Sequence, residues 1–154
     1  MISIFLASTD FDYETARSLF EEYAASLKIN LSFQHFDDEL EGLKKMYAQP
    51  SGGIILVKEG QELMGCVAVR RINKTECELK RMYVKPLHQN KGIGKLLLQA
   101  AINLAKQNNY TAIKLDTLNH MLPAIQLYKQ AGFNEIPAYY YNPISTAIYF
   151  KKVL

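Results

Sequence analysis

Gly92 and Gly94 stand beside Lys91 and Lys95, directly after Gln89-Asn90 and at the head of a long amphipathic run. Glycines at such a junction let the main chain approach a ligand closely, and the first-turn N–H groups of a helix point outward without intrahelical partners. Those donors, the helix dipole and two ammonium groups together suit a phosphate. Three phosphate-binding patterns can be laid against these residues. The P-loop fails: Gly60 and Gly65 have its glycine spacing, but Cys66 stands where its lysine belongs. The dinucleotide fingerprint is met by Gly92, Gly94 and the downstream Asp116. However, Leu97 takes its third glycine position, and Lys85 to Lys91 intervene between Val84 and Gly92 where that fold turns at once. The third pattern is Gln or Arg, two residues, Gly, one residue, then Gly or Ala, and Gln89-Asn90-Lys91-Gly92-Ile93-Gly94 matches it in full.

A loop of this kind needs a strand before it and a helix after it. Glu76 to Val84 reads as the strand, broken by Pro86, and Gly92 to Gln107 as the helix, with Ile93, Leu97, Ala101 and Leu104 on its apolar face. Upstream, Met1 to Ala7 reads as a strand and Asp12 to Leu27 as a helix, with Ser8-Thr9-Asp10 offering caps. Asp37 to Ala48 reads as one shorter helix ended by Gln49-Pro50; its acids Asp37, Asp38, Glu39 and Glu41 suit a solvated, dipole-favoured first turn. Ile54 to Lys58 and Glu62 to Arg71 precede Glu76 to Val84 as an antiparallel meander. Thr111 to Thr117 is a strand, Leu122 to Ala131 a helix framed by Pro123 and Gly132, and the tail offers one or two strands, most clearly Ala147 to Val153. The succession predicts an α/β fold: a mixed, mainly antiparallel central sheet with helices on both faces, and a parallel step across the Gly92 helix.

Size and composition bound the function. The 154 residues are 49% hydrophobic and 21% charged, which suits a single domain over 1–154. No uncharged apolar run approaches the roughly 20 residues that span a bilayer, and the first residues lack a basic leader, so neither a membrane nor a secreted protein is expected. Cys66 and Cys77 fit neither a disulfide scaffold nor a zinc site, which points to packed strand thiols, a reducing cytoplasm and no metal. His35, His88 and His120 lack metal-ligand spacing and read as loop or surface residues. A net charge of +3 is too small for a nucleic-acid partner. Its distribution is uneven: residues 1–77 carry 8 Lys+Arg against 12 Asp+Glu, and residues 78–154 carry 10 against 3. The basic half suits either a polyanionic ligand or a solvated surface.

The Gln89–Gly94 pattern resembles that of the GNAT superfamily of acyl-CoA-dependent N-acetyltransferases. The resemblance extends over nearly the whole chain: the strand Glu78-Leu79-Lys80-Arg81-Met82-Tyr83-Val84, the helix after Gly92, the strand ending Leu115-Asp116, and Ala124-Ile125-Gln126-Leu127-Tyr128-Lys129-Gln130-Ala131-Gly132-Phe133 stand in family order. It implies the GNAT acyl-CoA N-acyltransferase fold and acetyl-CoA as co-substrate. Main-chain groups of Met82, Tyr83 and Val84 would pair with the pantetheine arm, and the amides of Gln89, Asn90, Lys91, Gly92, Ile93, Gly94 and Lys95 would hold the pyrophosphate. Many relatives carry an asparagine seven residues before the tyrosine, a position held here by Met121.

Acetyl transfer to an amine needs a neutral nitrogen and a proton for the departing thiolate. Glu78 matches the place where some relatives carry a general-base glutamate, and strand alternation puts it on one face with Met82 and Val84. The competing reading is a strand glutamate paired with Lys80. Tyr128 matches the family's general acid near the thioester sulfur; the competing reading is a core tyrosine on an amphipathic helix. Tyr139-Tyr140-Tyr141 suits an acceptor wall, a homodimer contact or a cover for the sheet end, and Phe33-Gln34-His35-Phe36 is a further acceptor-side segment. The expected activity is direct transfer of acetyl from acetyl-CoA to a primary amine of a small molecule or peptide. A CoA-binding sensor without turnover is the first rival, and a nucleotide-binding module the second.

Overall fold

The computed structural model describes residues 1–154. Seven strands form one sheet in the order β1-β2-β3-β4-β5-β7-β6: β1 (Ile2–Leu6), β2 (Gly53–Glu59), β3 (Glu62–Arg71), β4 (Glu76–Val84), β5 (Ala112–Leu118), β6 (Asn134–Ile136) and β7 (Ala147–Val153). Every neighbouring pair is antiparallel except β4 and β5. The expected mixed sheet and its parallel step are therefore both present.

Helices cover both faces because the strands alternate apolar residues toward two cores. On one face, α4 (Ile93–Gln107) and α5 (Leu122–Gln130) enclose Ile93, Leu97, Ala101, Ile125 and Tyr128 against Val67, Val69, Leu79, Ile113 and Leu115. On the other, α1 (Asp10–Leu27) packs Ala16, Leu19 and Phe20 on Ile54, Leu56, Cys66 and Ala68. Thr9 caps α1 in a reciprocal box with Asp12, as Ser8-Thr9-Asp10 suggested. The single helix expected over Asp37 to Ala48 is instead two short ones, α2 (Phe36–Glu41) and α3 (Leu43–Met46). They meet at Gly42, whose backbone leaves the helical region, so a poor helix former interrupts the apolar spacing of Leu40, Leu43 and Tyr47.

Two irregularities in β4 shape everything that follows. Its parallel pairing with β5 covers only Glu76–Glu78 against Ala112–Lys114, so from Leu79 to Val84 the edge toward β5 has no strand partner. Opposite β3 the register steps: Cys66 pairs with Tyr83 but Ala68 with Lys80, which leaves a bulge at Arg81, whose φ is +57°. The bulge reverses the strand's alternation. Cys77 and Leu79 lie in the α4-side core, and beyond the bulge Met82 and Val84 also pack there while Tyr83 turns toward α1. Glu78 and Lys80 therefore stand on the face opposite Met82 and Val84, and the expectation of a shared face for Glu78, Met82 and Val84 is not met.

Candidate active site

An open groove runs from the end of β4 across the start of α4 to α5. Met82, Tyr83, Val84, Gln89, Asn90, Gly92, Ile93, Gly94 and Lys95 all line it. Lys91, predicted with them, is exposed and its side chain stands outside the groove.

The loop is built to leave donors free. Asn90 and Gly92 have left-handed backbones, with φ of +63° and +80°, which turns neighbouring amides into a concave nest. No side chain caps α4, and no amide from Asn90 to Lys95 donates to another main-chain group. A Cβ on Gly92 would meet nothing within 4 Å, so that residue opens onto the groove, whereas a Cβ on Gly94 would come within 3.1 Å of Leu127 Cδ1. Gly94 thus sets the close approach of α4 and α5. Gln89 Nε2 donates to the Val84 carbonyl at 3.2 Å and folds the loop back on its strand. An unsatisfied amide nest with lysine nearby fits a diphosphate.

His88 corrects its reading as a loop or surface residue. It is buried at 7% exposure, with Nε2 3.0 Å from Glu62 Oε1 and Nδ1 unpartnered. The side chain anchors the loop under the groove, a packing role no sequence spacing announces.

A second, more enclosed hollow meets the groove at Tyr23, Met82, Met121 and Ala124, where β4 and β5 part. Tyr128 lines it. Its ring packs on Phe133 and Phe150, with centroids 5.8 and 6.1 Å away, and its hydroxyl has no hydrogen-bond partner in the chain. Burial holds this phenol well above the usual tyrosine range. Tyr23, pushed up to about 12 chiefly by burial, reaches the junction from α1. Sequence reasoning placed it only in an apolar helix stripe.

Glu78 lines neither space. It is buried at 7% exposure; Oε2 accepts from Tyr139 Oη at 2.6 Å, and Oε1 lies 3.6 Å from Lys80 Nζ. The pairing with Lys80 weighed from sequence is present, and Tyr139 is an added partner. Burial, then the Glu78 charge, raises the Tyr139 phenol far above its ordinary value.

The bulge at Arg81 is held by a buried ion pair. Arg81 Nη2 and Nε donate to Glu39 Oε1 and Oε2 at 2.8 and 3.0 Å, and Tyr47 Oη donates to Oε2 at 2.9 Å. Glu39, expected on a wet helix turn, is 1% exposed. Burial pushes its carboxyl up, but the hydrogen-bonded guanidinium wins and holds it below the usual range.

Asp116 also lines the second hollow, and the sequence reading gave it no role there. Its Oδ2 accepts from Tyr140 Oη at 2.6 Å, and that oxygen accepts in turn from Gln34 Nε2 at 3.0 Å and Asn142 Nδ2 at 3.3 Å. Phe33 and Gln34 line the same hollow. Tyr139, Tyr140 and Tyr149 stack edge to face behind it.

Residues 15–133 match the family model described as the Acetyltransferase (GNAT) family. An uncharacterized N-acetyltransferase of Schizosaccharomyces pombe is 35% identical over 152 residues, covering 97% of this chain and 93% of its own length. Among solved structures, an acetyltransferase from Streptococcus agalactiae superposes with a TM-score of 0.81 at 20% identity, covering 99% of this chain and 98% of that one. A GNAT family acetyltransferase from Elizabethkingia anophelis with acetyl-CoA bound gives 0.68 at 24% identity, with coverage of 99% and 98%.

Proposed function

Because the chain belongs to the GNAT acetyltransferase family of acetyl-CoA-dependent enzymes, we propose that it moves acetyl directly to a primary amine of a small molecule or peptide in the cytoplasm. The observation that carries this reading is the run of unbonded amides from Asn90 to Lys95, opening into a groove that passes the unpaired edge of β4 and ends at a second hollow.

When bound, acetyl-CoA supplies an acyl group activated as a thioester. The amides of Asn90 to Lys95 hold its diphosphate, with the Lys91 and Lys95 charges beside them, while the Gln89 amide donates to the Pro86 carbonyl and Gln89 shapes the loop. The free edge at Met82, Tyr83 and Val84 orients the arm toward Tyr128. The acceptor ammonium first loses one proton by way of Glu78, acting through water because its carboxylate lines neither hollow. The nitrogen then forms the C–N bond as the C–S bond breaks, and sheds its second proton to solvent. Tyr128 Oη supplies the proton that sulfur takes and is refilled from solvent.

Free thiol released from acetyl-CoA in the presence of a panel of primary amines tests the reading. Amine-dependent release with a matching acetamide is expected; cofactor binding without it for every amine would mark a CoA-binding module. Glu78→Gln is expected to lower kcat by about a hundredfold or more with coenzyme A affinity within about twofold, and an unchanged kcat would remove Glu78 as the base.

A further inference from the structure

The hollow beside Tyr128 carries more charge information than the reaction requires. Lys80 and Arg81 both line it, yet each is already neutralised, Lys80 by Glu78 at 3.6 Å and Arg81 by the two oxygens of Glu39. Asp116 is different. It forms no ion pair, and its one hydrogen-bond donor is the neutral Tyr140 phenol on Oδ2.

Gln34 adds a second unused acceptor. The single Tyr140 proton goes to Asp116, so the Tyr140 oxygen can only accept from Gln34, which fixes the amide with Nε2 toward Tyr140. Oε1 is left buried and without a partner. A buried acceptor in that state is costly unless a donor arrives. A carboxylate and a carbonyl lining one small space, both short of donors, call for a group with several N–H bonds and a positive charge. The remaining wall is apolar, formed in part by Leu27, Ile29, Leu31, Phe33, Leu118 and Ile144.

We propose that this hollow admits the ammonium of a compact, apolar primary amine that lacks a carboxylate, with Asp116 as its counter-ion and Gln34 Oε1 as a second acceptor. The inference rests on the acyl-transfer reading above and narrows its acceptor. An acceptor carboxylate would meet only cations that Glu78 and Glu39 already satisfy. A second ammonium would find no free counter-ion among the lining side chains. Tyr128 lines the same space, so an amine anchored at Asp116 is delivered to the side of the proposed proton donor.

The test compares phenethylamine with phenylalanine, which differs from it by one carboxylate, and with putrescine, which adds a second ammonium. Phenethylamine is expected to show a kcat/KM at least about tenfold above both. Asp116→Asn should raise the KM for phenethylamine about tenfold or more, and Gln34→Leu should raise it by a smaller factor, with coenzyme A affinity within about twofold by calorimetry. Phenylalanine or putrescine used as well as phenethylamine, or a KM unmoved in both variants, would overturn the assignment. Saturation-transfer NMR of phenethylamine on the coenzyme A-loaded protein separates the two readings. Binding that depends on Asp116 without turnover would keep the site and sink the transferase; turnover of other amines without such binding would do the reverse.

Discussion

Tyr128 keeps its proton across the pH range of any ordinary assay, because burial first, and then Tyr23 and Asp116 nearby, hold the phenol above its usual range. The phenol is therefore present as an O–H donor to the departing sulfur throughout that range. Tyr128→Phe is expected to lower kcat by about a hundredfold or more while coenzyme A affinity changes by less than about twofold. Stopped-flow rates beside calorimetric titration would check this, and an unaltered kcat would return Tyr128 to the core. At this scale the sequence was legible where a position follows from a motif at a fixed distance, as with Tyr128 lining the hollow and the Gly92–Gly94 pair lining the groove. It was not legible where a role depends on partners far along the chain. Asp116 is defined by Tyr140, 24 positions away, and Tyr140 by Gln34, 106 positions away. Glu39 looked solvated because its partner Arg81 stands 42 positions on.

Two elements translate those residues into a site. The turn into α4 depends on Gly92 holding φ at +80°, a region costly for a β-branched residue. Gly92→Val should therefore lose about 1–2 kcal/mol of stability and weaken coenzyme A binding, since its side chain would stand in the open space before the amide nest. Thermal melts and titration would measure both, and unchanged affinity would argue against the loop as the diphosphate cradle. The β4 bulge depends on the Glu39–Arg81 pair. Removing one partner leaves a buried charge uncompensated, so Glu39→Gln is expected to cost about 3–5 kcal/mol at neutral pH in urea unfolding. The Glu39 carboxyl is held lower in the folded chain than its ordinary value. Its contribution is therefore present above the usual carboxylate range and lost as pH falls through the lowered folded value, and the acid limb of stability should flatten in Glu39→Gln. Alternation alone could not anticipate the reversal that this bulge imposes on Glu78. The bulge shows as a register step between β3 and β4, and a single strand's pattern does not encode its partner's.

Across the whole molecule, the acidic first half and basic second half of the chain meet in ion pairs: Arg81 with Glu39, Lys85 with Glu22, and Lys114 and Lys151 with Glu76. Lys95 lines the groove and Lys91 stands exposed beside the same loop, both without an ion-pair partner, in the stretch between Glu78 and Asp116 that holds no carboxylate. Coenzyme A binding should accordingly weaken several-fold between about 50 and 500 mM potassium chloride, as screening shortens the reach of those charges. Calorimetry across that series would show it, and a salt-independent affinity would reduce the basic half to a solvated surface. The meander, the parallel step across the Gly92 helix and the helical cover followed from the succession of elements; the edge position of β6 beyond β7 did not. The break in the middle of the sheet did not, because nothing in β4 or β5 marks where their pairing stops after Glu78 and Lys114. That early stop gives the molecule two half-sheets fastened at one end like the arms of a clothes-peg. Each arm keeps its own internal ladder intact, so an occupant of the seam meets side chains from both, and fit across it becomes a means of discrimination that no single contact has to provide.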